Sequence, residues 1–316
     1  MILINQGILT FFVLAVIFVN GATDAPNSIA GAVGGGVLKY RNACILCALF
    51  NFLGLAVSSA YFPSVSESIA SISTDNTAAI PLVTVVIFAS IAWFFGIPTS
   101  ESHALVAALG GVYLYTVGKL EGEFIDICIK SAASCAVGFG VGALFMIVLS
   151  PLFRCGSIFS LRQNRKILQG VCAAGASACH GMQDGQKFTA MLLPTAAVGS
   201  LPLSAVLICS AVMGVGCLVG GRRITKKLGE ELTNSAGADS AASDAGALVC
   251  TLVSTFLGIP VSTTYMKTCS MMGAAVAGRT HVNRRVVLEL ILTWVATYPV
   301  CMLLSYMLCL MQDILL

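Results

Sequence analysis

Two aspartates stand where an apolar chain has least reason to keep them. Asp24 lies in residues 20–28 (NGATDAPNS) and Asp184 in residues 180–188 (HGMQDGQKF), each inside a helix-length apolar stretch. A carboxylate in hydrocarbon costs about 2.5–3.5 kcal/mol on insertion scales, so it must face a cation, a partner or a polar cavity. Carboxylates beside the amide oxygens of Asn27 and Gln183, with nearby backbone carbonyls, form a hard-oxygen set suited to Na⁺. No soft ligand set has transition-metal spacing. Asp24, Asp184 and Gln183 are therefore candidate coupling-cation residues, with Na⁺ or H⁺ as the cation.

A second pair of stretches carries the opposite chemistry. Residues 94–111 read FFGIPTSESHALVAALGG and residues 256–273 read FLGIPVSTTYMKTCSMMG. Each Gly-Ile-Pro step should end one helix and start another, with Pro98 or Pro260 at the first helical position, where the missing N–H costs nothing. Thr99, Ser100 and Ser102, and Ser262, Thr263 and Thr264, then lie on the first turn. Unpaired N–H groups, hydroxyls and the positive end of the helix dipole together attract an anion. Ser100, Ser262, Thr263 and Thr264 are candidate anion ligands, with Asn27, Gln186 and Lys187 beside the aspartates; Thr23 and Ser28 are neighbours.

Four residues near these motifs need separate readings. Glu101 would repel a bound oxyanion if ionised. It is expected to be protonated, salt-bridged to a lysine or turned away, and as a protonatable carboxylate it joins the candidate H⁺-coupling residues. Lys267 neutralises Glu101 or the substrate, or faces water. His103 and His180 are candidate proton relays, with simple hydrogen bonding as the plainer role. The GAVGGG run at 31–36 has no Walker lysine and reads as close helix packing.

The elements that position these residues follow from composition. The 316 residues are 57% hydrophobic and 10% charged, and mean hydropathy is +0.93. A soluble domain carries about 25% charged residues. Helix-length Ala/Gly/Leu-rich runs argue for an all-α polytopic membrane protein rather than a β-barrel. The 13 cysteines are scattered, and the C-x-x-C at Cys44 and Cys47 opens an apolar run, so no disulfide framework is read. No basic segment precedes the first apolar run, so no cleavable signal peptide is read.

The chain is duplicated. Phe94, Gly96, Ile97, Pro98, Ser100 and Gly111 recur as Phe256, Gly258, Ile259, Pro260, Ser262 and Gly273 at an offset of 162, and Gly21 and Asp24 recur as Gly181 and Asp184 at an offset of 160. Repeat 1 is read as residues 1–153, a basic cytoplasmic connector as 154–166 and repeat 2 as 167–316, together forming one transport domain. Loop charge alternates between the copies. Lys39 and Arg41 face an uncharged 194–200, and the 61–79 loop has no Lys or Arg where 221–243 has Arg222, Arg223, Lys226 and Lys227. The positive-inside rule then gives opposite orientations. Each repeat is expected to have three crossings and one hairpin turning at its GIP step (80–117 and 244–278), with broken helices at the aspartates and both termini outside the cell membrane. The 63–79 and 222–243 segments read as solvent loops. Inverted repeats with broken helices are a secondary-transporter plan.

At these motifs the chain resembles the inorganic phosphate transporter family of cation-coupled permeases. The family has a GANDVANA-type signature in each half and a G-[IL]-P-[IV]-S-T-T-H motif in each half. Here they are Gly21–Asn27, His180–Lys187, Gly96–His103 and Gly258–Tyr265, with departures at Thr23, Gln183, Glu101 and Tyr265. The resemblance implies phosphate symport with Na⁺ or H⁺ by alternating access. It carries site roles onto Asp24, Asn27, Gln183, Asp184, Gln186, Lys187, Ser100, Ser262, Thr263 and Thr264. A sulfate or other oxyanion permease of the same fold is the alternative, and a passive anion channel is a rival of another class. The chain has no paired acid/base or metal set outside the motifs, so no enzyme is read. The expected partners are inorganic phosphate, the coupling ion and the lipid bilayer. No nucleic-acid patch and no cofactor are expected, and small-residue stretches permit a homodimer.

Overall fold

The computed structural model describes residues 6–70, 79–120, 122–154, 158–195, 201–233, 238–259 and 261–315. Pro260, Asp75 and Glu121 lie outside them. The first half contains α1 (Gln6–Thr23), α2 (Ala25–Gly34), α3 (Tyr40–Tyr61), α4 (Ser64–Ala70), α5 (Ala79–Phe95), α6 (Glu101–Val117) and α7 (Gly122–Arg154). The second contains α8 (Ile158–His180), a π-helical turn (Gly181–Gly185), α9 (Gln186–Thr189), a 3₁₀ turn (Ala190–Thr195) and α10 (Leu203–Val219). It continues through α11 (Arg222–Lys226), a second π-helical turn (Lys227–Leu232), α12 (Ala238–Phe256), α13 (Thr263–Gly278) and α14 (Arg284–Leu315).

Among the described residues, four helical stretches suit a membrane crossing by length and composition: Gly7–Gly34, Tyr40–Tyr61, Phe124–Pro151 and Arg284–Ile314. A fifth is the pair Leu203–Val219 and Arg222–Leu232, bent by 65°. Helices α5 and α12 are apolar but shorter. The chain is a multi-pass membrane protein.

The two GIP steps end their helices in the same way. Gly96 and Gly258 take φ of +67° and +66°, a left-handed conformation that only glycine adopts without strain. Gly96 N–H bonds to Trp93 O and Ile97 N–H to Ala92 O; Gly258 N–H bonds to Thr255 O and Ile259 N–H to Ser254 O. This is the Schellman closure, which satisfies the last carbonyls of α5 and α12. Pro98 is not the first residue of α6, contrary to expectation. The N-cap is Ser100 and the helix starts at Glu101, so Pro98 follows the C-cap, where it prevents α5 from continuing.

The expected breaks at the aspartates are milder than loops. Asp24 keeps helical dihedrals (φ −91°, ψ −41°) between α1 and α2. Pro26, in the first turn of α2, has no N–H to give to the ladder there. In the second half the chain widens into the π-helical turn 181–185 and continues as α9. Such turns insert one residue without unwinding the helix.

Of the expected solvent loops, residues 71–78 and 234–237 lie outside the described residues, and the parts before them pack against the protein. Val65, Ser66 and Ile69 of α4 are buried, as are Ile224, Leu228 and Leu232 in 222–232. Each short segment covers the GIP turn of the other half. A Cβ on Gly96 would meet Arg223 Cβ at 2.8 Å, and one on Gly258 would meet Ser64 Cβ at 3.0 Å. The apolar residues at period three to four in both segments carried this signal.

Helices close on one another through glycine. A Cβ on Gly34 would stand 2.0 Å from Gly229 O, so the GAVGGG run does serve close packing. The motif glycines act alike: a Cβ on Gly111 would stand 2.2 Å from Met302 O on α14, and one on Gly273 would stand 2.0 Å from Phe139 O on α7.

Candidate functional site

The four motifs converge on one buried polar cluster. Its centre is marked by repeat-equivalent residues in contact. Ser100 Oγ lies 2.7 Å from Ser262 Oγ, and the His103 and Tyr265 rings stack at 4.0 Å. Both pairs are related by the 162-residue offset. In both pairs a residue of one copy touches its own counterpart in the other, and we call the line through these contacts the axis between the copies.

Asp24 and Asp184 flank this axis. Asp24 accepts from Thr264 Oγ1, from Asn27 Nδ2 at 3.2 Å and from the backbone N–H of Glu101 at 3.3 Å. Asp184 accepts from Ser102 Oγ and Thr263 Oγ1, each at 2.9 Å. Each aspartate thus holds a hydroxyl from the GIP helix of the opposite half. One ligand atom from each of Asp24, His180 and Asp184 lies within 4.8 Å of the others.

The helix N-termini are not free, which corrects the expectation of open N–H groups. Ser100 Oγ accepts from His103 N–H at 3.3 Å, and Ser262 Oγ from Tyr265 N–H at 3.2 Å. These are ordinary side-chain N-caps. The Asp24 carboxylate occupies the anion position at the start of α6, where the helix dipole favours it.

The two halves differ in what surrounds each carboxylate. Around Asp184, Lys187 Nζ stands 2.6 Å from Oδ1 and His180 Nε2 stands 3.1 Å from Oδ2. Lys187 also donates to Ser102 Oγ at 2.8 Å and to Val261 O. It is buried rather than reaching an interface. Around Asp24, the positions equivalent to His180 and Lys187 hold Asn20 and Asn27, at the same offset of 160. Bases surround one acid, and amides surround the other. Asp184 brings its own cation, while Asp24 has none.

Glu101 meets no lysine. Its carboxylate accepts from Thr23 Oγ1 at 2.6 Å and from Asn20 Nδ2 at 3.4 Å, and it is fully buried. It therefore extends the uncompensated acidic side. Asn51, which no sequence motif marked, fixes His180. Asn51 Nδ2 donates to Cys47 O at 2.9 Å, which leaves its Oδ1 to accept from His180 Nδ1 at 2.6 Å. His180 Nε2 then faces Asp184.

Six buried side-chain atoms among the described residues of the cluster have no hydrogen-bond partner; His180 Nε2 and Tyr265 Oη can donate or accept, and the other four are of fixed type. Asn20 Oδ1, Asn27 Oδ1 and Gln183 Oε1 are acceptors, and Gln186 Nε2 is a donor. Gln183 Nε2 is spent on Ile259 O at 3.1 Å, while Gln186 Oε1 accepts from the backbone N–H of Ser66 at 3.3 Å. Unpartnered buried polar atoms are costly, so such atoms point to missing ligands. A cation would satisfy the three oxygens, and an anion would satisfy the amide N–H.

A cavity of about 20 Å³ beside Asp24, Asn27, His180, Thr263 and Lys267 is the nearest open space. That holds roughly one water-sized species. A bare cation fits it, and a tetrahedral oxyanion does not.

Lys267 is paired with Asp244, not with Glu101 and not with water. Both are buried, and a Cβ on Gly31 would stand 2.3 Å from Asp244 Oδ1. Asp244 was missed as a site residue. Its signal was the same one that marked Asp24, a carboxylate at the edge of an apolar run. Asp244→Asn strands the Lys267 ammonium and is expected to destabilise the fold by about 3–5 kcal/mol. Asp244→Asn combined with Lys267→Met should regain most of that. Thermal unfolding in detergent measures both, and a single variant as stable as wild type would show that the pair is not needed.

A model of the Phosphate transporter family matches residues 20–166 and 156–305. The chain belongs to the phosphate transporter family. The transporter is 28% identical over 303 residues to a Bacillus subtilis protein named "Probable low-affinity inorganic phosphate transporter", covering 91% of each chain. It is 30% identical over 304 residues to a Rhizobium meliloti protein of the same name, covering 91% of this chain and 90% of that one. Its fold matches a solved structure titled "The sodium-dependent phosphate transporter" with a TM-score of 0.84 at 18% identity, over 98% of this chain and 99% of that chain. These relatives are named as transporters, a non-enzymatic class.

Proposed function

We propose that the transporter moves inorganic phosphate with a coupling cation, Na⁺ or H⁺, by alternating access across the cell membrane. The two copies act as inverted repeats (1–153 and 167–316) joined by a cytoplasmic connector (154–166), with both termini outside. The helix pairs around the GIP turns act as hairpins that meet at the substrate. One observation carries this reading: buried amides and a second carboxylate surround Asp24, whereas Lys187 and His180 compensate Asp184.

The coupling cation then belongs at Asp24, with Glu101 and the unpartnered oxygens of Asn20, Asn27 and Gln183 near it. Asp184 acts through its own ammonium, so the two aspartates are not two equal cation sites. Phosphate binds where the donors are: Lys187, Gln186, Asn27, Ser100, Ser262, Thr263 and Thr264. Because these hydroxyls and the ammonium now bond internally, phosphate must separate the GIP helix starts to reach them. The bound cation offsets the charge that phosphate adds to a site already holding three carboxylates.

The test is radiolabelled phosphate uptake into proteoliposomes under an inward Na⁺ gradient, then an inward H⁺ gradient. Accumulation with Na⁺ alone places Na⁺ at Asp24. Accumulation with H⁺ alone makes Glu101 the proton carrier. Phosphate equilibration without accumulation under either gradient would contradict coupled transport, and blockade by excess sulfate would contradict selectivity for phosphate.

A further inference from the structure

The first GIP turn borders a cavity of about 510 Å³ lined by Trp93, Phe94, Arg222, Arg223 and Ile224, among others. Its two walls differ in kind. Trp93 and Phe94 end α5, whose outer face is apolar and exposed, with Phe94 72% accessible. In a membrane protein that face meets acyl chains. The other wall is the start of α11, where Arg222 and Arg223 are exposed. Neither arginine pairs with a carboxylate among the described residues. Arg223 donates to Phe94 O at 2.9 Å, and Arg222 lies over the Tyr40 ring at 5.9 Å. Both guanidinium groups keep donors to spare.

The second half supplies an internal control. Phe94 corresponds to Phe256, and because Arg223 covers Gly96 as Ser64 covers Gly258, Gly221 in the cavity lining corresponds to Phe62. There Phe62 packs edge-on against Phe256 with centroids 5.4 Å apart. The same corner of the fold is filled by aromatic packing in one half and left open beside two arginines in the other. The fold alone does not require the cleft.

We propose that this cleft binds an anionic phospholipid, its phosphate on Arg222 and Arg223 and its acyl chain along Trp93 and Phe94. Planar guanidinium groups match a phosphodiester in geometry and charge. The Lys/Arg-rich 221–243 side is cytoplasmic in the proposed topology, the leaflet where anionic lipids concentrate. The headgroup would sit against the segment that covers Gly96, so lipid occupancy bears directly on the GIP turn of the first half.

The protein has two tryptophans, Trp93 and Trp294, so fluorescence can read the cleft without any transport assay. The full chain is reconstituted in the Trp294→Phe background with brominated phosphatidylglycerol or brominated phosphatidylcholine. The difference between wild type and Trp93→Phe gives the same signal if Trp294→Phe does not fold. Brominated phosphatidylglycerol should quench Trp93 at least twofold more than brominated phosphatidylcholine at equal mole fraction. Arg222→Gln with Arg223→Gln should abolish that difference. Equal quenching by the two lipids, or an unchanged difference in the double variant, would overturn the proposal. Relief of quenching by millimolar inorganic phosphate would show that the arginines take the free anion instead.

Discussion

Asp184→Asn is expected to cut phosphate uptake by more than about a hundredfold and to destabilise the protein, because it leaves Lys187 and His180 facing a neutral amide. Stranding one partner of a buried pair costs about 3–5 kcal/mol, and every 1.4 kcal/mol is tenfold in a rate or an equilibrium. Asp24→Asn should abolish uptake equally but leave stability near wild type. An asparagine still accepts from Thr264 and Glu101 N–H, and no fixed cation is stranded there. The two variants should therefore agree in transport and diverge in melting temperature. Asp184→Asn with Lys187→Met should recover stability without recovering uptake, because the ammonium that meets phosphate is gone. Purified variants in liposomes, with thermal unfolding alongside, give both readouts. Wild-type-like uptake in either aspartate variant would remove the central assignment. Equal destabilisation in the two would remove the asymmetry between them.

That asymmetry marks the limit of what the sequence makes legible. The repeats, the four motifs and the helical runs could be read because offset, hydropathy and turn chemistry are local properties. The Gly96 and Gly258 closures are one such case: a glycine followed by Ile-Pro has few conformations that end a helix. What a side chain faces is not local. Lys187 reads as a candidate anion ligand, and nothing local announces that Asp184 holds its ammonium in the folded protein. Lys267, five residues past Ser262, reads as a partner for Glu101, the substrate or water, yet Asp244 on the neighbouring helix claims it. The N–H groups at the helix starts looked open because nothing in the chain announces that a carboxylate 77 residues earlier will cap Glu101. The segments 64–70 and 222–232 looked solvated because they are short and polar. Their apolar residues, Val65, Ile69, Ile224, Leu228 and Leu232, are buried where the segments meet the turns of the opposite half, a contact that exists only once the two copies are assembled.

Cysteines at both Ser100 and Ser262 are expected to stop uptake on oxidation and to restore it on reduction. The two hydroxyls are 2.7 Å apart, and serine-to-cysteine changes only one atom at each position, so the sulfurs fall within disulfide reach. The bond would tie the start of α6 to the start of α13 at the point where the copies meet. Under the proposed function, phosphate cannot reach Ser100 and Ser262 until those two starts separate, because the two hydroxyls are bonded to each other. A covalent tie should therefore trap the empty, closed state and reduce uptake to the background of protein-free liposomes. The 13 native cysteines require the same oxidant on the wild type and on each single variant, none of which should lose uptake on oxidation and regain it on reduction. Helix ends that never part would tolerate the tie, so full uptake by quantitatively cross-linked protein would rule out separation at Ser100 and Ser262 as a step of transport. Loss of uptake that reductant restores would place the moving junction on the axis between the copies. The duplication then has a mechanical reason, since two like helix starts that meet at their own counterparts can open toward either side by equivalent motions.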